Sequence, residues 1–321
     1  NVIGIIIDNY EQFDQRKIPK NKAKAVLLFC KKYDNRYFKL YDDESLSYRA
    51  KQSVQPLIVI NKKKLKDFKN KKEGLQQVKI TLNPGVKHVE TENIIAYIEG
   101  GDPELKKEVV VISAHYDHLG VSKGKVFNGA DDNGSGSAAL LELARAFKKI
   151  KREGKMTKRS IVFIWFTGEE LGLFGSRYYS ENPLIKLENT IANLNIDMIG
   201  RSNMEQEHLN YKVFLIGSNR LSQDLHNISE KAAQKFTSLK LDYKYNDPND
   251  KLKLYYRSDH YNFAKNGIPS IFYFGGFHKD YHKVTDDVEK IDYEKIKEIS
   301  ILVGHTALGL LNAGHRPQIK D

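Results

Sequence analysis

Five polar stretches of this sequence carry side chains that could bind metal ions and transfer a proton. They contain His115, Asp131 with Asp132, Glu169 with Glu170, Asp197 and His282. Zinc and related divalent metals bind imidazole nitrogen and carboxylate oxygen, and a catalytic site keeps one position open for water. The set is large enough for two divalent ions and one carboxylate that stays free to act as a base. The sequence therefore predicts a metal-dependent catalytic centre.

Three of these stretches directly follow apolar runs that are typical of buried β-strands. The runs are VVVIS at residues 109–113, SIVFIWF at 160–166 and NTIANLNI at 189–196. Residues 136–152 place their apolar side chains on one helical face, which predicts a helix between the first two strands. A strand, a helix and a strand of these lengths predict a parallel sheet, whose ligands gather at the carboxyl ends of the strands.

The chain is predicted to be an α/β protein with a mostly parallel central sheet that helices cover on both faces, plus a small β-rich N-terminal domain. A length of 321 residues is enough for two domains. Residues 1–82 carry strand-like runs at 25–30 and 56–60 among Lys, Asp and Asn. Because Pro84 and Gly85 mark a turn or linker, residues 83–321 are predicted to form the catalytic domain.

Composition excludes some classes of function. The net charge of +11 is densest at the lysines of residues 62–72, but no aromatic-basic motif accompanies them, so we expect a solvated face and no nucleic-acid partner. No run approaches the ~20 apolar residues of a membrane helix. The single cysteine, Cys30, lies in an apolar run and is predicted to be a small buried side chain.

Each polar motif also has an ordinary structural explanation when it is taken alone. Asp, Asn and Ser cap helices well, so the loop NGADDNGSG at residues 128–136 could be an N-cap. Two adjacent aspartates among three glycines favour a loop shaped around an ion, with Asp131 as a bridging carboxylate. The side chains of Glu169 and Glu170 diverge, so one could bind metal while the other faces water.

Together the motifs resemble the co-catalytic zinc aminopeptidase family, which includes bacterial leucyl-type aminopeptidases, glutamate carboxypeptidases and glutaminyl cyclases. The resemblance covers roughly residues 90–312. The matching stretches, in the family's order, are SAHYDH, NGADDNGSG, FTGEELGLFGS, NIDMIG, RSDHYNF and YHKVTDD. The resemblance implies a zinc exopeptidase-like fold and two Zn²⁺ ions, with other divalent metals possible. The implied metal ligands are His115, Asp131, Glu170, Asp197 and His282.

The resemblance also implies roles for residues around the metals. Asp131 would bridge the two ions, and its peptide bond to Asp132 would be cis. Glu169 would be the general base, Asp117 would orient the imidazole of His115, and Tyr281 would donate to the oxyanion. Arg257 and Asp259 would contact the substrate or the ligands, or else pair with each other. Residues 1–82 resemble a protease-associated domain.

The function implied is a dinuclear zinc exopeptidase, in particular a metallo-aminopeptidase that hydrolyses peptides with a free N-terminus by metal-activated water. A glutaminyl cyclase, a single-zinc acyltransferase, is the alternative. Those enzymes tend to carry Trp before the last histidine and an Asp-Asp-His stretch, whereas this chain has Tyr281 and Ser258-Asp259-His260. A receptor-like binding protein without activity is disfavoured because no ligand or base is missing. The family implies a secreted or periplasmic location.

Overall fold

The computed structural model describes residues 2–9, 25–32, 57–61, 90–201 and 211–320, with backbone only for the first three ranges. The chain divides into two compact units, Asn1–Glu90 and Thr91–Asp321. The lysine-rich residues 62–72 lie outside the described residues. The predicted boundary between residues 82 and 83 falls shortly before the division between the two units, and the assignment of a protease-associated domain stays a prediction.

The described residues of the first unit form three parallel strands. They are β1 (Val2–Asn9), β2 (Ala25–Lys32) and β3 (Leu57–Asn61), and they pair in the order β1-β2-β3. The sequence indicated β2 and β3 but not β1, although the β-branched run VIGIII at its start is the same kind of signal.

A seven-stranded mixed sheet forms the centre of the second unit, in the order β11-β10-β12-β9-β5-β8-β4. Four of its six strand pairs are parallel, and the antiparallel pairs are β4 with β8 and β10 with β12. The strands of this unit, including a short β6-β7 hairpin beside the sheet, are β4 (Ile94–Ile98), β5 (Val109–His115), β6 (Gly120–Ser122), β7 (Lys125–Phe127), β8 (Ser160–Phe166), β9 (Thr190–Asp197), β10 (Lys212–Ile216), β11 (Lys240–Asp242) and β12 (Ser270–Phe274).

Helices cover both faces of this sheet, as the sequence predicts. Successive residues of β5 point to opposite faces, so Val110 and Ile112 pack in one apolar cluster and Val109 and Val111 in another. The first cluster contains side chains of α1, α3 and α5, and the second contains Tyr179 of α2 and Phe263 of α4. The helices are α1 (Gly136–Arg152), α2 (Phe174–Glu181), α3 (Gln223–Phe236), α4 (His260–Ala264) and α5 (Tyr293–Asn312). None of them is both long and apolar enough to cross a lipid bilayer.

Local signals in the sequence explain where two of these helices begin. The carboxylate of Asp292 accepts the backbone N–H of Lys295 at 3.1 Å and caps the first turn of α5. The start of α1 depends on Gly136, because a Cβ there would lie 2.3 Å from Asn133 Oδ1 and 2.7 Å from the Ile196 carbonyl oxygen. This close approach seats the helix directly against the carboxyl end of β9.

Two neighbouring leucines of α1 provide a test of the packing. Leu140 is fully buried in the core, whereas Leu141 is 53% exposed. We expect Leu140→Ala to lower the free energy of unfolding by about 2–5 kcal/mol, because it removes buried methyl groups and leaves a cavity. Leu141→Ala, the matched control, should change it by less than about 0.5 kcal/mol. Urea denaturation of both variants measures the difference, and equal effects would contradict the assigned face of α1.

Candidate metal centre

The carboxyl ends of three adjacent parallel strands bring three of the five predicted ligands together, which are His115, Glu170 and Asp197. His115 is the last residue of β5 and Asp197 the last residue of β9, and β5 pairs with both β8 and β9. Glu169 and Glu170 follow β8, on the other side of β5. The sheet edge predicted from the apolar runs is therefore the edge at which these side chains meet.

Asp132 lies between two groups of possible metal ligands. Its Oδ1 is 3.5 Å from His115 Nε2, which in turn is 3.3 Å from Asp197 Oδ1. Its Oδ2 is 3.0 Å from His282 Nε2, which is 3.3 Å from Glu170 Oε2. Because its two oxygens face different histidines, Asp132 has the position of a carboxylate that bridges two ions.

Asp131, which the sequence analysis expected to bridge, points away from this cluster. Its Oδ1 accepts the backbone N–H of Gly200 at 2.5 Å, and its Oδ2 lies 3.2 Å from Nε2 of the buried His278. The cis peptide bond joins Asp132 to Asn133, one residue later than expected. The geometry therefore places Asp132, and not Asp131 as the sequence analysis expected, where a bridging carboxylate would lie.

Contacts from distant parts of the chain fix this loop. The carboxylate of Asp286 accepts the backbone N–H groups of Asp131 and Asp132 at 3.1 and 3.2 Å. The amide of Asn133 donates to the Ile196 carbonyl oxygen at 2.9 Å and accepts the N–H of Met198 at 3.1 Å. These bonds turn the side chain of Asp132 towards the sheet edge.

Asp117 holds the loop of the two glutamates. Its Oδ1 and Oδ2 accept the backbone N–H groups of Glu169 and Glu170 at 3.1 and 3.2 Å. The Nδ1 of His115 lies 3.1 Å from the backbone carbonyl oxygen of Asp117 and 3.7 Å from its carboxylate. The imidazole of His115 therefore hydrogen-bonds to the main chain of Asp117, the residue expected to orient it. The carboxylate of Asp117 instead positions Glu169 and Glu170.

A chain of buried hydrogen bonds orients Asp197. Its Oδ2 accepts the hydroxyl of Ser258 at 2.7 Å, and Ser258 accepts the side-chain amide of Asn195 at 2.8 Å. Ser113 donates to Asn195 at 2.8 Å. Since these side chains are buried, the chain leaves Oδ1 of Asp197 as the oxygen that faces His115.

Burial and crowding shift the pKa values of this cluster. Burial raises the pKa of Glu169 well above its usual range, and the carboxylates of Asp197 and Asp259 raise it further against the opposing effect of His115. Burial also raises the pKa of Asp132 to about 6, although its bond to His282 works in the other direction. Burial lowers the pKa of His282, but the carboxylates of Asp132 and Glu170 raise it more, to about 9. The directions of these pKa shifts indicate an excess of negative charge in a poorly solvated cluster.

The donor set fits divalent metal ions. Imidazole nitrogens and carboxylate oxygens of two groups, His115 with Asp132 and Asp197, and His118 with Asp132 and Glu170, each lie within 4.8 Å of one another. Glu170 Oε1 and both ring nitrogens of His118 are buried without a hydrogen-bond partner. Unpaired buried polar atoms are costly, and bound cations would satisfy them and neutralise the carboxylates.

A pocket opens beside the cluster, with a charged wall and an apolar wall. Tyr281 lies at its edge, and its hydroxyl oxygen accepts a 3.4 Å bond from Arg257. Burial, followed by the charge of Asp132, raises the pKa of the Tyr281 phenol, so the phenol keeps its proton. The lining residues are the charged or polar Asp132, Glu169, Glu170, Asp197 and His282, the apolar Met198, Leu254, Phe272, Phe274 and Phe277, and Arg257 and Tyr281.

The sequence left two roles open for Arg257 and Asp259, which were contacts with the substrate or the ligands, or an ion pair with each other. In the structure these two residues lie in different environments. Asp259 is fully buried, and burial raises the pKa of its carboxyl to about 7. Arg257 is exposed and lines the pocket. Sequence reasoning also missed the contributions of His118 and Asp286, although both lie within the stretches SAHYDH and YHKVTDD.

Comparisons with known proteins show the family of this chain. The model for Peptidase family M28 matches residues 93–307. Aminopeptidase YwaD of Bacillus subtilis is 31% identical over 203 residues, which are 61% of this chain and 40% of that protein. Aminopeptidase Y of Saccharomyces cerevisiae is 30% identical over 237 residues, 69% of this chain and 39% of that protein. The chain thus spans about two fifths of the length of these relatives.

Solved structures share the fold. BSAP, a zinc aminopeptidase from Bacillus subtilis, is 25% identical with a TM-score of 0.55, over 92% of this chain and 66% of that chain. An aminopeptidase from Aneurinibacillus sp. strain AM-1 has a TM-score of 0.59 at 19% identity, over 100% of this chain and 76% of that chain. The predicted fold class, a mostly parallel sheet between layers of helices, is confirmed.

Proposed function

Because the chain belongs to peptidase family M28, we propose that it is a metal-dependent exopeptidase, and specifically an aminopeptidase that removes N-terminal residues from peptides. One observation carries the proposal. Asp132 turns one oxygen to His115 and the other to His282, beside a pocket that Glu169 also lines. The relatives that are named aminopeptidases support the choice of substrate.

The residues of the cluster divide into two metal positions that share Asp132. His115 and Asp197 complete the first, and Glu170 and His282 complete the second. We assign two Zn²⁺ ions to them, with other divalent metals as substitutes. When bound, such ions polarise a carbonyl oxygen and lower the pKa of a bound water from 15.7 to about 7.

Glu169 is the group that moves the proton. It lines the pocket, and its raised pKa matches a carboxylate that must accept a proton and later release it. In the proposed reaction it takes the proton of the attacking water and delivers it to the nitrogen of the leaving amine. Asp117 holds the backbone of this residue by the 3.1 Å bond to its N–H, which fixes where the carboxylate can reach.

The pocket supplies the means to recognise an N-terminal residue. The carboxylate of Glu169, which lines the pocket and is not assigned to a metal, would attract the ammonium group of a free N-terminus. The wall that contains Met198 and Phe272 would take an apolar side chain. Substrates are therefore expected to be peptides with a free amino end.

Tyr281 is proposed to donate a hydrogen bond from its hydroxyl group to the oxyanion that forms during hydrolysis. Arg257 already donates to the phenol oxygen, so the O–H of Tyr281 is free to point into the pocket. Tyr281→Phe should lower kcat by about 10²–10³-fold, because one donor to the developing charge is lost. KM and the metal content should change little. Steady-state kinetics and metal analysis would check this, and a wild-type kcat would remove Tyr281 from the mechanism.

A substrate panel tests the proposed function. Aminoacyl-anilides with a free amino group should be hydrolysed, and their N-acetylated counterparts should not. A chelator should abolish hydrolysis, and added Zn²⁺ should restore it. Cyclisation of N-terminal glutamine without hydrolysis would instead identify a glutaminyl cyclase, and a purified protein that binds neither zinc nor a substitute would indicate a receptor-like protein.

A further inference from the structure

His118 lies inside the metal cluster, although neither the proposed mechanism nor the expected ligand set uses it. It follows β5 by three residues, and its side chain is 8% exposed. Its Nδ1 is 2.9 Å from Glu170 Oε1 and 3.9 Å from Asp132 Oδ2. His118 therefore approaches the same two carboxylates that His282 approaches.

The approach of His118 to Glu170 is close without being a hydrogen bond. Glu170 Oε1 and both ring nitrogens of His118 are buried and have no hydrogen-bond partner. Atoms that are 2.9 Å apart but not aligned as donor and acceptor are arranged like two ligands that point at a common third atom. A cation at that point would satisfy both atoms.

The surroundings hold the ring of His118 in this place. Gly129 has a φ of +63°, and a Cβ there would lie 2.5 Å from His118 Cγ, so this glycine makes room for the imidazole. The ring centroids of His118 and His282 are 5.8 Å apart and the rings are nearly perpendicular. Two imidazoles bound to one zinc through nitrogens at about 2.0–2.1 Å would have centroids roughly 5–6 Å apart.

We propose that His118 is a fourth protein ligand at the second metal position, beside Asp132, Glu170 and His282. This inference rests on the proposed function, because it requires that the cluster binds metal. The first position then has three protein ligands, which are His115, Asp197 and Asp132. Zinc sites with four protein ligands are closed, whereas catalytic sites keep a position for water. The second position is thus a closed site that holds its ion tightly, and the first position exchanges water and substrate.

Metal retention in a His118→Ala variant tests the proposal. After dialysis against a chelator of graded strength, the wild-type protein should retain one zinc ion per chain and the variant none. Loss of a ligand should weaken the tight position at least roughly 100-fold, since loss of a group that only orients a ligand already costs about 10–100-fold. His226→Asn is the matched control. His226 is another largely buried histidine, but it lies on α3 and contacts Ser218 and Glu230, so this variant should retain zinc like the wild type.

X-ray absorption of the wild-type protein, loaded with one zinc ion per chain, counts the imidazoles bound to zinc. This measurement remains valid even if the His118→Ala variant fails to fold. We expect two imidazoles per zinc in the wild type and in His226→Asn. One imidazole per zinc, or wild-type retention by His118→Ala, would overturn the proposal while leaving peptide hydrolysis and the proposed function intact. A wild-type protein that binds no divalent metal would overturn both.

Discussion

Replacing Glu169 with Gln is expected to lower kcat by about 10²–10⁴-fold, the usual contribution of a general base, while both metal positions stay filled. The amide keeps the size of the side chain and the backbone bond to Asp117, but it cannot accept and return a proton. Turnover of an aminoacyl-anilide and metal content by elemental analysis are the two measurements. Glu142→Gln is the control, since Glu142 is an exposed residue of α1 that pairs with Arg145 and should have no effect.

Two results would contradict the assigned role of Glu169. Near-normal turnover would show that another group accepts the proton. Loss of turnover together with loss of metal would make Glu169 a ligand, and it would then exchange roles with Glu170. The structure favours Glu170 as the ligand because its Oε2 lies 3.3 Å from His282.

The sheet and the location of the site could be predicted because they depend on local patterns. Strands buried on both faces need continuous apolar runs, and SIVFIWF coincides with β8 from Ser160 to Phe166. The amphipathic pattern of residues 136–152 likewise coincides with α1. Parallel pairing then requires that residues at the carboxyl ends of neighbouring strands share one edge, so the sequence already predicts that His115 and Asp197 lie close together.

The direction of individual side chains could not be predicted because distant contacts decide it. Asp131 and Asp132 are chemically identical neighbours, so their residue type does not predict which side chain faces the site. The carboxylate of Asp286 accepts both of their backbone N–H groups and thereby fixes the two directions. Asp117 likewise binds main-chain amides that no motif reveals. His282 has a φ of +56°. Residues other than glycine rarely adopt this left-handed backbone conformation, so tertiary structure must impose it.

Asp132→Asn is expected to produce the largest loss of metal, because it removes the negative charge that the two positions share. An asparagine offers one carbonyl oxygen and an NH₂ group, so it cannot turn an acceptor to both His115 and His282. Metal affinity should fall by more than about 100-fold, beyond the effect of losing an orienting group, and peptide hydrolysis should fall with it. Zinc titration by calorimetry and the rate of hydrolysis at saturating zinc would measure the two effects.

Asp131→Asn is the matched comparison, since it makes the same chemical change one residue earlier. Its Oδ1 can still accept the N–H of Gly200, so the loop should keep its shape and the protein its metal. The variant loses the carboxylate oxygen that lies 3.2 Å from Nε2 of the buried His278, and we expect the free energy of unfolding to fall by about 1–3 kcal/mol because this buried imidazole loses a polar neighbour. Metal loss in Asp131→Asn with retention in Asp132→Asn would return the bridge to Asp131. Metal loss in Asp132→Asn with retention in Asp131→Asn, the expected pattern, would assign the bridge to Asp132. The backbone position that Asp286 imposes, and not the order of the two aspartates in the motif, would then select the bridging carboxylate.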